Sequence, residues 1–498
     1  MRAAGVLAAS LLLLAATNLP AANPIHARTH GSNRAACGKT AWPDFNGDGH
    51  ADLAVGDPHG RTLQYDQGSL HLLRGTAEGL PRLDASDAYL TGARGPMSLR
   101  LADVDGDGCA DLVAGGPYGD DRGHATIYWG GPGRSSAARI TDAKLTVGDG
   151  EREWSGLGWS VAAGQGVVAV GAPFEDVDGV TDAGAVYVFT VGADRDPSEP
   201  IRITQSSPDV PGGDEPGDLF GWSLALGRLG GDPAALDLVI GAPFDDKNGK
   251  GPRKGPRKGL RKDEVLADAG AVTVLYDVTS GARSGTRWNL AEVTSEIDSR
   301  AGDRFGYSLA YGEWRGTGRL AVGAPGADVP GADDAGMVQL FEGTEPTRSL
   351  WQGWRGLPDA GEKGDGFGYA LAFAGGHLLI GSPFEADRGL PEVGAVTVVP
   401  LDGSPATFVT EGRARMQAYD HFGWAVSAAG DGWMAVGVPD EQATHGGAIA
   451  LVPLRGGEPH LLAPGYNGIP HLPDQGRRKR PYPHEIGRSV DFGAVLAG

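Results

Sequence analysis

Apolar positions along this chain fall in short runs, and nearly every run is bounded by Gly, Pro, Asp or Asn. Runs of that length with such boundaries predict strands joined by turns, not helices. Three kinds of run recur in a fixed order. The first is an aromatic-glycine step: "GLGWS" at Gly156, "LFGWS" at Leu219, "RFGYS" at Arg304, "GFGYA" at Gly366 and "HFGWA" at His421. The second is an apolar run ending in Gly-x-Pro, with prolines at positions 58, 117, 173, 243, 325, 383 and 439. The third lies downstream: "GAVYVF" at Gly184, "GAVTVLY" at Gly270, "GMVQLF" at Gly336, "GAVTVV" at Gly394 and "GAIALV" at Gly447. Seven Gly-x-Pro steps mark seven units, each with three strand-like segments and room for a fourth.

A sheet of four short strands cannot cover both of its faces by itself, so units of this kind are stable when stacked around an axis. The pattern therefore predicts an all-β fold, a seven-bladed β-propeller of four-stranded antiparallel blades. Strand alternation would put Phe220, Trp222 and Leu224 on one side of "FGWSL" and the small residues on the other, so bulky and small faces would meet between blades. Trp159, Trp222, Tyr307, Tyr369 and Trp424 are read in this way as inter-blade packing. The first unit has no aromatic-glycine step ahead of Asp44, whereas the C-terminus supplies "EIGRSV" at Glu485 to Val490, similar to "RFGYSL". That segment is expected to enter the first blade and close the ring, which removes the open sheet edges.

The order of aromatic-glycine step, optional acidic loop, run into Gly-x-Pro and Gly-Ala-Val strand resembles the FG-GAP repeat of integrin α-chain N-termini. The resemblance runs from about Asp44 to Pro453 plus the closing segment. It is specific in units 3 to 7, while units 1 and 2 keep the acidic loop and only degenerate flanking segments. It implies a free-standing secreted propeller of bacterial type, because the integrin leg domains, transmembrane helix and inserted von Willebrand-type domain have no counterpart here. In that family the acidic loops bind calcium, and the opposite face carries the ligand site.

The acidic loops read "DFNGDGHADLAVGDP" from Asp44 and "DVDGDGCADLVAGGP" from Asp103. An EF-hand would place a bidentate Glu at position 12 between two helices. Here position 12 is Val55 or Ala114, and a strand follows at once. Positions 1, 3, 5 and 9 supply Asp44, Asn46, Asp48 and Asp52 in the first loop and Asp103, Asp105, Asp107 and Asp111 in the second. The position-7 carbonyls of His50 and Cys109 complete two all-oxygen sets suited to Ca²⁺. Units 3 to 7 carry plain hairpins instead, so two calcium sites are expected, with a structural role. Other acids cluster on the turns after Gly-x-Pro (Asp120, Asp121, Glu175, Asp176, Asp245, Asp246, Asp328, Glu385, Asp387, Asp440 and Glu441) and before the aromatic-glycine step (Asp218, Asp303, Asp365 and Asp420). They are expected to line the second face.

Composition narrows the setting. The chain has 498 residues with 83 Gly and 34 Pro. A positively charged start, an apolar run from about Ala3 to Ala16 and "IHA" at Ile25 to Ala27 predict a signal peptide over 1–27, followed by a lead-in over 28–43. No other apolar run is long enough to span a membrane. The repeats are expected over 44–465, a linker over 466–483 and the closing strand over 484–498. A net charge of −20 argues against nucleic acid as a partner. The basic stretch at 247–264 reads as a flexible solvated insert. Two cysteines, Cys37 and Cys109, leave a disulfide or two free thiols open. Ser160, Ser223 and Ser308 recur at one repeat position and read as scaffold, and "GWSVA" is not a nucleophile elbow. These features point to a monomeric extracellular binding or adhesion module for a protein, glycan or cell-wall ligand, without catalysis. The alternative is a hydrolase or lyase acting on an extracellular polysaccharide, because carboxylate pairs abound.

Overall fold

The computed structural model describes residues 37–38, 43–58, 69–76, 96–118, 123–133, 142–145, 154–248, 265–278, 284–412, 415–430, 432–441, 444, 447–464 and 492–498. The expected signal peptide, most of the basic insert, the linker and "EIGRSV" lie outside these residues. The described chain is all-β, with one short helix at Leu290–Val293. Six sheets have four antiparallel strands and one has three, making seven blades of a propeller. A further two-stranded ladder, Lys247–Asn248 with Val265–Leu266, stands at the two ends of the basic insert.

Within a blade the chain runs from the axis outward. In blade 3 the strands are Val161–Gly164, Val167–Ala172, Ala185–Thr190 and Ile201–Ile203, paired in that order. Gln165 and Gly166, both with positive φ, make the two-residue turn of the first hairpin, a geometry that matches strand twist. The innermost strands of blades 2 to 7 and the C-terminal strand Val495–Ala497 touch one another in cyclic order, which closes the ring.

The aromatic-glycine step is a turn, not the start of a strand, and this corrects the alternation expected above. The inner strand of blade 4 begins only at Ser223, and Gly221 ahead of it has φ +94°. Consequently the two aromatics of the step separate. Phe220, Phe305, Phe367 and Phe422 are completely buried between blades. Trp159, Trp222, Tyr307, Tyr369 and Trp424 remain half-buried.

The turn exists to let blades approach. The Gly221 amide donates to the Gly241 carbonyl of its own blade (3.1 Å), and the Gly221 carbonyl faces Gly171 of the preceding blade. A methyl group on Gly171 would stand 2.2 Å from that oxygen, so only Gly fits the Gly-x-Pro step. The serine after the aromatic completes the joint. Ser160 donates to Gly221 O (2.7 Å), Ser223 to Gly306 O (2.7 Å) and Ser308 to Gly368 O (2.6 Å). These hydroxyls are scaffold, as their recurrence indicated.

Ring closure follows the expectation in kind but uses a different segment. Val495–Ala497 pairs antiparallel with Leu53–Asp57 as the inner strand of blade 1. The step ahead of it is Phe492-Gly493: Phe492 is completely buried, and the Gly493 amide donates to Gly56 O at 3.2 Å, the bond that Gly221 makes in blade 4. Phe492 packs with Leu53, Val55 and Leu73 of blade 1 and Ala435, Ile449 and Leu451 of blade 7.

Candidate functional site

The two acidic loops fold almost identically, because each aspartate at position 1 accepts the backbone of its own loop. Asp44 Oδ1 takes the Gly47 amide (2.7 Å) and Oδ2 the Gly49 amide (2.8 Å). Asp103 takes Gly106 (2.8 Å) and Gly108 (3.1 Å) in the same way. Asn46 Oδ1 and Asp105 Oδ1 each accept the amide two residues on, as do Asp48 and Asp107, whose Oδ1 atoms hold His50 and Cys109. Position 9 ties the loop to its sheet: Asp52 bonds Phe45 N (2.8 Å) and Gly75 N (2.9 Å), and Asp111 bonds Val104 N and Gly130 N (both 2.9 Å). Burial, opposed by these amides, pushes Asp52 and Asp111 up to about 7.

The structure brings Asp103, Asp105 and Asp107 together, each with an oxygen within 4.8 Å of the others'. Asp111 stands outside that group, engaged by its amides. The loops then diverge in countercharge. Arg195, from the turn after the third strand of blade 3, reaches the second loop with Nε 2.5 Å from Asp105 and Nη2 3.2 Å from Asp107, its plane over Trp129. Among the described residues no basic side chain pairs with Asp44, Asp48 or Asp52. Donor chemistry in both loops is all hard oxygen, which fits Ca²⁺ or Mg²⁺ and not a thiophilic metal. The first loop fits a resident cation without competition; in the second, Arg195 supplies part of the countercharge.

Cys37 and Cys109 form a disulfide, which settles the open alternative. Cys109 occupies position 7 of the second loop. Cys37 also abuts the first loop, since a methyl on Gly47 would stand 2.7 Å from its sulfur. The disulfide is therefore covalently part of the second loop and in contact with the first.

The acids expected on the second face divide by burial, Asp120 and Asp121 lying outside the described residues. Glu175, Asp218, Asp245, Asp303, Asp365, Glu385, Asp420 and Glu441 are buried at blade junctions, whereas Asp176 is exposed and Asp246, Asp328, Asp387 and Asp440 are half-buried. Some are neutralised: Glu175 accepts from Arg202 Nε (2.7 Å) and the Tyr187 hydroxyl (2.7 Å), and Asp245 from Arg287 and Gln205. Others are held protonated by burial and a neighbouring acid. Asp218 is pushed up to about 8, with Asp245 beside it, and Glu385 to about 8, with Asp365 beside it.

What that face does present is aromatic. Trp159, Trp222, Tyr307, Tyr369 and Trp424 lie ring to ring, with centroid separations of 4.8, 5.5, 5.1 and 5.0 Å from blade 3 to blade 7. Phe174, Phe244 and Phe384, each directly after Gly-x-Pro, pack edge-on against them. Trp154 and Tyr118, both exposed, stack on Phe174 and on each other and extend the arc to blade 2. These rings do pack between neighbouring blades, as their repetition indicated, and each also keeps part of its surface exposed.

Comparisons with known proteins agree with this architecture. Residues 44–114 match the FG-GAP-like repeat family and residues 141–189 the FG-GAP repeat family. The chain carries FG-GAP repeats built into a seven-bladed β-propeller. It is 32% identical over 218 residues to integrin alpha-PS2 of Drosophila melanogaster, a match covering 41% of this chain and 15% of that one. It is 28% identical over 204 residues to the human phosphatidylinositol-glycan-specific phospholipase D, covering 36% of this chain and 23% of that protein. The chain thus spans less than a quarter of these relatives. Among solved structures, a periplasmic gluconolactonase of Pseudomonas aeruginosa aligns over 83% of this chain and 95% of its own, with 13% identity and a TM-score of 0.43, too weak a likeness to carry argument. No helix among the described residues is long and apolar enough to cross a membrane.

Proposed function

We propose that this chain is a secreted, extracellular binding module that engages a protein or glycan ligand on the aromatic face, with calcium bound in the two acidic loops on the opposite face. The observation that carries the reading is the unbroken arc of half-buried rings. Rings spare from the core offer large apolar surfaces at little entropic cost, and a polymer or peptide can lie across several of them. The likeness to an integrin α-chain and the predicted signal peptide support an extracellular partner.

In the loops, Asp44, Asn46, Asp48 and Asp52, with the His50 carbonyl, would hold one ion. Asp103, Asp105, Asp107 and Asp111, with the Cys109 carbonyl, would hold the other. Bound calcium supplies positive charge among carboxylates that burial otherwise drives to take up protons. The chain's own residues do the rest: amides orient the carboxylates, and the disulfide anchors the second loop to Cys37, which packs against the first.

The alternative, an enzyme acting on an extracellular polysaccharide, draws on Asp218 and Glu385, which are both protonated at neutral pH and could donate a proton. Their burial speaks against it. A glycan array and a panel of extracellular matrix proteins, probed with the purified chain and with Trp222→Ala and Trp424→Ala, test the reading. Binding should fall at least tenfold in the variants with melting unchanged. A ligand bound equally by both variants would place the site elsewhere, and turnover of a polysaccharide would establish the alternative.

A further inference from the structure

Three blade junctions repeat one arrangement, and the differences between them are chemical. Each joins a residue just after the outer strand of one blade, an aspartate in the connector and an acid on the Gly-x-Pro turn of the next blade. Between blades 3 and 4 the three are Gln205, Asp218 and Asp245; between blades 5 and 6 they are Gln352, Asp365 and Glu385; between blades 6 and 7 they are Glu411, Asp420 and Glu441. In the first two, an amide donates to the acid on the turn. In the third, that amide is replaced by a carboxylate.

The first junction is further neutralised by an arginine: Arg287, on the outer strand opposite Thr273, pairs with Asp245. The corresponding positions are Phe408 in blade 6, opposite Thr397, and Leu461 in blade 7, opposite Ala450. The third junction therefore differs from the second by an added acid, and from the first by an added acid and a missing base.

Glu411, Asp420 and Glu441 are 1%, 0% and 2% exposed, and each has a carboxylate oxygen within 4.8 Å of the others'. Glu411 adds an observation independent of the clustering: both of its oxygens are buried with no hydrogen-bond partner. Glu385, the glutamate of the second junction, by contrast accepts from the Gln352 amide. An acceptor in that state costs about 1–3 kcal/mol, more when charged, so either protons or a cation must occupy the space between the three groups. Without a cation, burial and the two neighbouring acids drive Glu411 up to about 10.

We propose that Glu411, Asp420 and Glu441 form a third divalent-cation site, a calcium site at the junction of blades 6 and 7. The site stands apart from the acidic loops and does not depend on their binding calcium. Three carboxylates without nitrogen or sulfur donors select a hard ion. Two oxygens on opposite sides of one Ca²⁺, each about 2.4 Å from it, lie about 4.8 Å apart, a limit that these three meet. Mg²⁺, with shorter bonds and a need to keep several waters, suits so buried a trio less well.

The test counts ions on the full chain. Protein stripped by chelation is dialysed against calcium, and bound calcium is measured by elemental analysis and calorimetric titration. The wild type is compared with Glu411→Gln, and Asp48→Asn/Asp107→Asn with the same chain carrying Glu411→Gln. In both backgrounds Glu411→Gln should lower the stoichiometry by one equivalent. It restores the amide present at Gln205 and Gln352, so the fold should survive; if it does not, Glu441→Gln gives the same reading. Metal-free, Glu411→Gln should melt above the wild type, and added calcium should shrink that difference. Unchanged stoichiometry, with only the pH dependence of melting altered, would mean that protons alone fill the junction and would overturn the proposal.

Discussion

Blades 1 and 2 hold together by chemistry that blades 3 to 7 do not use. In the larger group, the joint is a glycine pressed under the next blade's aromatic-glycine turn with a buried acid beside it, and in blades 3 to 5 a serine bonded to that turn, which is alanine in blades 6 and 7. Blade 2 keeps the glycine and the serine, with Ser98 donating to Gly158 O at 3.0 Å, but the smaller group adds a disulfide and two acidic loops wrapped in their own amides. The second joint is tied to solution conditions, namely redox state and free cation, whereas the first is built of contacts that solution does not reach. One ring therefore contains a rigid arc and a conditional seam, and the seam is where the two ends of the chain meet.

The largest expected effect breaks the seam directly. Ending the chain at Asp491 removes Phe492 and the inner strand of blade 1, and the loss should exceed the 3–5 kcal/mol of a buried Phe→Ala change. Melting of this truncation, and of Phe492→Ala alone, measures it. An unchanged melting temperature would mean that the ring does not depend on closure. The disulfide comes next. Cys37 and Cys109 are 72 residues apart, so replacing both with Ser should cost about 4 kcal/mol in the chain-entropy picture. Chemical denaturation with and without reductant gives the value, and Ser223→Ala, in the rigid arc, should be insensitive to reductant.

The acids of the arc give a pH signature. Asp218 is raised to about 8 and Asp303 to about 7, both chiefly by burial, against about 3.9 in an unfolded chain. The folded state holds these protons more tightly. Their contribution is complete below pH 4 and is lost as pH climbs through 7 to 8. In chelator, the difference in urea midpoint between Asp218→Asn and wild type should therefore widen in favour of the variant from pH 4 to pH 8.5. A difference independent of pH would show that Asp218 stays ionised throughout.

What could be read from the sequence follows this same division. In blades 3 to 7 the signal repeats, so the units, their order and the scaffold role of the serines were plain from spacing. The failure there was one of local geometry: a positive-φ glycine turns "FGW" out of strand alternation, sending Phe220 into the joint and Trp222 to the surface. Burial of eight of the turn acids is not legible in the sequence, because it comes from the stacking of blades over the turns. At the seam, the loop spacing identified the acids, but Arg195 comes from another blade and no local pattern announces it. The closing step is legible as "DFGAVLAG", yet "EIGRSV", the better match to the longer pattern, places it six residues too early.

The smallest expected effect concerns the two loops themselves, which differ in Arg195 and in little else. Extracellular modules bind calcium at about 10⁻⁴ to 10⁻³ M, so millimolar calcium should contribute only about 1 kcal/mol per site. If the first loop lacks a built-in cation and the second has one, chelation should weaken the wild type mainly through the first. Asp48→Asn should then abolish most of the calcium-dependent rise in melting temperature, and Asp107→Asn only a lesser part. Arg195→Ala sharpens the contrast, because it removes the guanidinium that bridges Asp105 and Asp107. That variant should melt below wild type in chelator and recover in calcium, with the second loop now binding more tightly than before. Equal calcium responses from Asp48→Asn and Asp107→Asn, and an Arg195→Ala variant that calcium does not rescue, would show that the guanidinium is a packing contact and not a surrogate for the ion.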